Sequence, residues 1–266
     1  MEGRVQGKIA IVTGGGQTPG ETIGNGRATA ILLAREGAAV MIVDRARESA
    51  EETVDMIRGE GGTASAFAAD VTVESAVQEL ISATLREYGA LDILHNNVGA
   101  SLSLGDNTGI DLTEAAYDRS FAVNLKSAWL TSKHAVPALR VQGGSIVNIS
   151  SMAAWEANPL LAYKTTKAAL IALTENFAVA HAADGIRVNA ILPGLMNTPM
   201  AIEERAARGV PREEVIASRD RRIPLGRKMG TAWDVAYASL FLHSDEAGFI
   251  TGVSLPVDGA RWISRV

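Results

Sequence analysis

The 266-residue chain carries 25 basic against 30 acidic residues, a formal net charge of −5 at pH 7, so it lacks the basic footprint of a nucleic-acid binder. It has no cysteine, which excludes disulfides, thiolate zinc sites and a cysteine nucleophile and fits a reducing cytoplasm. With 47% hydrophobic and 21% charged residues it reads as an ordinary globular chain, long enough for one large α/β domain spanning 1–266. The polar start, Met1 to Lys8, lacks the apolar stretch of a signal peptide, and no run reaches the roughly 18 apolar residues of a membrane span.

Lys8 to Thr13 is a short apolar run rich in β-branched residues, as expected of a parallel strand buried on both faces. It meets Gly14-Gly15-Gly16, then Gly24-Asn25-Gly26, and a helical pattern from Arg27 to Glu36. Strand, glycine turn and helix N-terminus in that order make a phosphate cradle, because backbone N–H groups can approach an anion that the helix dipole also favours. Ala39 to Val43 is a second buried strand and ends at Asp44. A carboxylate about 20 residues past the glycine loop can accept the adenosine ribose hydroxyls and repel a 2′-phosphate. NAD is therefore expected over NADP, although the adjacent Arg45 keeps a phosphate in play. A charged helix over 46–58, a strand over Thr63 to Ala68 with its exit at Asp70-Val71, and a helix over Val73 to Tyr88 follow.

Leu91 to Leu94 reads as a fourth strand running into Asn97 and Gly99, which suit a tight turn beside a ligand. A loop over 100–112 leads to a long helix, Tyr117 to Arg140, which Pro137 is expected to kink or end. Within it, Asn124 has modest helix propensity and suits a side chain that satisfies a backbone group or a water. Ser145 to Ile149 forms a fifth strand and delivers Ser150 and Ser151 to the edge that holds the glycine loop. Leu160 to Ala183 is then a helix carrying Tyr163 and Lys167 one turn apart on one face. An ammonium so placed favours the phenolate and lowers the phenol's pKa, so Tyr163 can serve as general acid or base. The hydroxyl of Ser151, or of Ser150, can hold the oxygen of an alcohol or carbonyl against it. A sixth strand, Ile186 to Leu192, ends in Pro193-Gly194 and, shortly after, Thr198. The stretch 198–224 is polar and rich in arginine, including Arg205, Arg208 and Arg219, and reads as one or two solvated helices or as a substrate lid in which an arginine recognises an acid. A last helix over Thr231 to Leu242 and a seventh strand over Val253 to Val257 close the chain.

With the glycine turn, Asn96-Asn97-Val98-Gly99, Ser151, Tyr163-x-x-x-Lys167 and Pro193-Gly194 in order, the chain resembles the short-chain dehydrogenase/reductase family over nearly its whole length. The run from Pro224 through Trp233-Asp-Val-Ala236 to Val257-Asp-Gly259 resembles its bacterial members. The resemblance implies a doubly wound, Rossmann-type sheet of seven parallel strands with helices on both faces, usually in a homotetramer. It implies that Tyr163 is the acid/base, that Lys167 holds the nicotinamide ribose and lowers the phenol's pKa, that Ser151 orients the substrate and that Asn124 supports a proton-relay water. It further implies cofactor contacts from Gly14, Gly24, Gly26, Asp44, Asp70, Val71, Asn97, Gly99, Pro193, Gly194 and Thr198, beside Tyr163 and Lys167.

Three departures stand out. Nine residues separate Gly14 from Gly24, more than the family's pattern, so an insertion of about six residues that includes Gln17 to Thr22 must loop out near the phosphates or the nicotinamide entrance. Val98 stands where an alanine is usual, and Ser151 precedes Tyr163 by only 12 positions. The expected activity is hydride transfer between NAD(H) and a secondary alcohol or ketone, with an NADPH-dependent carbonyl reductase of the 3-oxoacyl type as the alternative. A dinucleotide-sensing protein without turnover is a further alternative, since fold alone does not fix function. The substrate pocket is expected to be lined by Ser101, Leu102, Met152, Trp155, Leu195, Met196 and Met200. Nothing in the pattern calls for a metal, a membrane or a nucleic-acid partner.

Overall fold

Two residue periods build the sheet: within each buried strand, successive side chains face opposite layers of helices. The structure, a computed structural model, describes residues 3–264; Met1 and Glu2 of the polar start, with Arg265 and Val266, lie outside the described residues. In the first half, β1 (Ile9–Thr13), α1 (Asn25–Arg35), β2 (Ala39–Asp44), α2 (Arg47–Gly59), β3 (Thr63–Ala68) and α3 (Glu74–Tyr88) alternate. The second half runs through β4 (Ile93–Asn96), α4 (Glu114–Phe121), α5 (Ser127–Leu139), β5 (Gly144–Ile149), α6 (Leu161–His181) and β6 (Ile186–Pro193). It finishes with β7 (Met196–Asn197), α7 (Pro199–Ala206), α8 (Arg212–Asp220), β8 (Gly230–Thr231), α9 (Ala232–His243) and β9 (Ser254–Val257).

Seven strands form one sheet in the order β3-β2-β1-β4-β5-β6-β9, and every pairing is parallel. The expected doubly wound fold is therefore the fold observed. Alternation shows in the cores: Ala10, Val12, Val40 and Ile42 meet Leu33 of α1 and Leu240 of α9, while Ile11, Met41, Leu94 and Ile146 meet Leu80 of α3 and Leu130 of α5. Each of these fully buried side chains other than Ala10 contributes about 1.5–3 kcal/mol. The chain leaves β1 toward β3, then crosses back to β4, so loops diverge at the carboxyl ends of β1 and β4, where open sheets of this kind hold ligands.

Several expectations shift. β4 starts two residues later than expected, so Asn97 follows the strand directly. The long helix over 117–140 is three segments: α4 begins at Glu114 on a Thr113 cap, a π-helical turn occupies Ala122–Lys126, and α5 carries Pro137 in its last turn. β7 and β8, two residues each, pair in parallel as a small separate sheet; a two-residue strand leaves no periodicity to read. The stretch 198–224 holds two helices, α7 and α8. No described helix is long and apolar enough to cross a membrane.

Candidate active site

A cleft of about 1340 Å³ runs along the carboxyl ends of the strands, more than the ~300–1,000 Å³ of an ordinary small-molecule pocket. One end is the glycine turn. Gly14 has φ +64°, a conformation that glycine adopts without strain. A Cβ on Gly26 would lie 2.1 Å from the Gly14 carbonyl oxygen, so only glycine lets α1 come this close to β1. The N-cap of α1 is Gly24, with no side-chain cap, which leaves the first N–H groups of the helix for another acceptor. Asn97 ties the turn to the exit of β4 by donating its Nδ2 to Gly14 O at 3.0 Å. Asp44, Arg45, Asp70 and Val71 line the same end; the Asp44 carboxylate accepts Ala46 N–H at 3.0 Å and the Asp70 carboxylate accepts Thr72 N–H at 2.9 Å.

The inserted segment folds into the wall of the cleft. Gln17 accepts Gly24 N–H on its side-chain oxygen at 2.9 Å and donates its own N–H to Ser49 Oγ at 2.8 Å. Farther along, Glu21 pairs with Arg212 of α8 at 2.9 Å, and Arg212 also reaches Glu203 of α7 at 3.2 Å. The insertion therefore spans from the glycine turn to the helices of the 198–224 stretch.

At the other end Ser151, Tyr163 and Lys167 converge. The first turn of α6 is fastened by a buried acid, Asp106, whose carboxylate accepts Ala162 N–H at 3.1 Å and Tyr163 N–H at 2.7 Å. Ser150 donates its hydroxyl to Lys167 O at 2.7 Å, so Ser151 is the serine left opposite the phenol. Lys167, only 2% exposed, donates Nζ–H to Ile149 O at 2.8 Å. Burial lowers its pKa to about 8. The Tyr163 pKa is raised, first by burial and also by Glu204, while the Ser151 hydroxyl and Arg205 pull it back. The expected lowering by Lys167 is not realised here, because the ammonium is turned to the Ile149 carbonyl, 5.7 Å from the ring centroid, and loss of hydration outweighs it. Asn124 sits in the π-helical turn behind the wall: its Oδ1 accepts Ala100 N–H at 2.9 Å, and its Nδ2 donates to Ala100 O and Ser120 O at 2.9 and 3.0 Å.

All thirteen residues expected at the cofactor line the cleft, as do Ser101, Met152, Leu195, Met196 and Met200. Leu102 and Trp155 do not. Leu102 lies in a 3-10 turn whose carbonyl accepts from Arg208, and Trp155 turns outward onto Trp262, ring centroids 5.7 Å apart. Glu156, Glu204, Arg205, Arg219 and Arg261 line the cleft in addition. Among the described residues no group of acids and histidines could hold a metal ion.

The family model described as enoyl-(acyl carrier protein) reductase matches residues 21–260. The crystal structure of a Burkholderia xenovorans protein described as a short-chain dehydrogenase/reductase superposes with a TM-score of 0.93 at 38% identity, covering 99% of this chain and 100% of that one. The chain belongs to the short-chain dehydrogenase/reductase family. An uncharacterised oxidoreductase of Thermotoga maritima is 37% identical across 96% of this short-chain dehydrogenase/reductase and 97% of its own length. Carveol dehydrogenase from Mycobacterium avium, solved in complex with NAD, superposes with a TM-score of 0.90 at 29% identity, over 98% of this chain and 100% of that one. This chain is accordingly an oxidoreductase of the short-chain type, a family that binds a nicotinamide dinucleotide and acts on CH–OH groups.

Proposed function

We propose that the protein is an NAD(H)-dependent oxidoreductase interconverting a secondary alcohol and a ketone, with Tyr163 as general acid/base. The observation that carries the reading is the single cleft that joins an acid-terminated glycine cradle to Ser151, Tyr163 and Lys167. The cradle suits a dinucleotide: a Cβ at Gly26 would fill the space between β1 and α1, and the uncapped N-terminus of α1 favours pyrophosphate. Asp44 takes the ribose hydroxyls, Asp70 and Val71 flank the adenine, and Asn97, Gly99, Pro193, Gly194 and Thr198 border the nicotinamide half. Bound there, the nicotinamide supplies or accepts the hydride.

Ser151 holds the substrate oxygen against the Tyr163 hydroxyl. Because burial keeps the phenol protonated at neutral pH, Tyr163 is set to donate its proton to the oxygen of a ketone being reduced. In the oxidative direction the phenol first gives up its own proton to water, and the resulting phenolate, with the Lys167 ammonium one turn away to stabilise it, takes the alcohol proton. Asn124 fixes the Gly99-Ala100 loop against the π-helical turn, the place from which a relay water is supported. α7 and α8 act as the lid of a domain spanning the whole chain, in a cytoplasmic enzyme. Exposed Tyr117 and Trp129 share a groove with Phe121 and Leu173, the apolar face on which the proposed homotetramer assembles.

Tyr163→Phe tests the assignment: turnover is expected to fall by about 10²–10⁴-fold while the dinucleotide still raises the melting temperature. Near-normal turnover in that variant overturns it. Parallel thermal-shift titrations with NADH and NADPH test the role of Asp44, since a ligand at 100 times its Kd stabilises by about 2.7 kcal/mol. A shift with NADPH alone favours the second reading, an NADPH-dependent carbonyl reductase, which Arg45 in the cleft wall supports.

A further inference from the structure

Four arginines surround the substrate end of the cleft: Arg205 on α7, Arg219 and Arg222 on and just after α8, and Arg261 near the end of the chain. Arg261 pairs with Glu156 at 2.5 Å. The other three form no ion pair with a carboxylate among the described residues. Arg205 donates Nη1 to its own helix, at Ala201 O, 2.7 Å. Arg219 is only 9% exposed, yet its partners are weak: the Met229 sulfur at 3.2 Å and the Met196 carbonyl at 3.4 Å.

A guanidinium buried without a counter-ion is costly. Burial first, and then repulsion from Arg205, Arg222 and Arg261, push its pKa down to about 9, so the neighbours add to the cost. A ligand that brings a negative charge would remove both penalties. The polarity of the cleft also has a direction. Glu204, with a buried carboxylate oxygen that has no hydrogen-bond partner, and Arg205 act on the Tyr163 phenol with opposite signs, so next to the reacting carbon the charges offset, while Arg219 and Arg222, which do not act on the phenol, leave the uncompensated positive charge farther from it.

We propose that the substrate is a secondary alcohol or ketone carrying an oxyanion group remote from the reacting carbon, held by Arg205, Arg219 and Arg222. The inference rests on the reading of Ser151 and Tyr163 as the groups that hold the reacting oxygen. Carboxylate, sulfonate and phosphate share the chemistry that three arginines recognise, and all three are acids that a neutral pocket would reject.

The test compares 4-acetylbenzoate with its neutral counterpart 4-acetylbenzamide, and with 4-acetylphenyl phosphate. Binding is measured by calorimetry on the enzyme saturated with NAD⁺, where a ketone cannot turn over, and kcat/KM is measured with NADH. The acids are expected to bind at least tenfold more tightly than the amide, and the tighter of the two identifies carboxylate or phosphate. Arg219→Met and, as an exposed second variant should the first fail to fold, Arg222→Ala are expected to remove the preference. Arg208→Ala, outside the cleft, is expected to keep it. Equal binding of acid and amide, no binding of any of them, or a preference surviving both cleft variants overturns the inference. Preferential binding of an acid that is never reduced sustains the anion site of the arginines and sinks the alcohol/ketone part of the inference together with the reading it rests on. Equal binding together with reduction of both ketones does the reverse.

Discussion

The carboxylate of Asp106 accepts the backbone N–H of Tyr163 at 2.7 Å, across 57 positions of sequence. It also takes the N–H of Ala162, so one buried acid satisfies two of the free donors at the start of α6 and sets where that helix begins. Asp106→Ala is expected to cost about 1–2 kcal/mol of stability and to lower kcat more than the KM for the dinucleotide, because the phenol loses its fixed origin. Asp106→Asn, which keeps one acceptor, should recover part of both. Unfolding curves and steady-state kinetics of the two variants provide the check.

Lys167 gives the chain a pH signature. Its pKa falls from 10.5 in the unfolded chain to about 8 in the native protein, so between those values the unfolded state binds more protons and stability rises with pH. The contribution is fully present above pH 10.5 and is lost as pH falls through 8. Measured against Lys167→Met, the wild type should gain up to ~3 kcal/mol over that window. Urea titrations of both proteins at pH 7, 9 and 10.5 would show it; parallel pH profiles would mean that the ammonium is not buried as described.

Gly26→Ala places a methyl group 2.1 Å from the Gly14 carbonyl oxygen and 2.5 Å from Asn97 Nδ2. Backbone must move, and α1 is pushed off β1. The expected result is a loss of 1–3 kcal/mol or more, as for overpacking generally, together with loss of the dinucleotide-induced thermal shift. A variant that keeps that shift unchanged would show that the cradle does not need this close approach.

Arg212 on α8 ties the insertion to α7 through Glu21 and Glu203. Surface pairs of this kind are worth about 0–1 kcal/mol, so Arg212→Ala should leave the melting temperature nearly unchanged. Its effect is expected in kinetics instead, as a several-fold rise in KM for both dinucleotide and substrate, the sign of a shared element. A rise for one alone would separate the inserted loop from α7 and α8.

What the chain shows in one dimension is what repeats locally. Buried strands, their glycine exits and the one-turn spacing of Tyr163 and Lys167 are short-range patterns, and the sheet and the cleft lining follow from them. Asp106 is not legible in this way, because its partners lie more than fifty residues away and a loop aspartate carries no mark of a distant helix start. Arg219 is half legible: the stretch 198–224 reads as solvated helices or as an arginine-bearing lid, and only the packing of β7 and Met229 against α8 singles out this guanidinium as buried. Trp155 misled because its apolar ring found Trp262 rather than the cleft. The lowering of the Tyr163 pKa by Lys167 failed for want of a quantity no spacing supplies, the hydration that both groups lose.

The pairing of β1 with β4, Ala10 beside Ile93 through Thr13 beside Asn96, is the seam between the halves of the sheet. It closes a loop of some eighty residues, and the glycine cradle stands on one side of it while Ser151 and Tyr163 stand on the other. Entropy makes such long-range closures slow. Neither side of the seam holds the cleft alone: the first half of the chain carries a cradle with nothing to react in it, and Ser151 and Tyr163 face that cradle only across the closed pairing of β1 with β4.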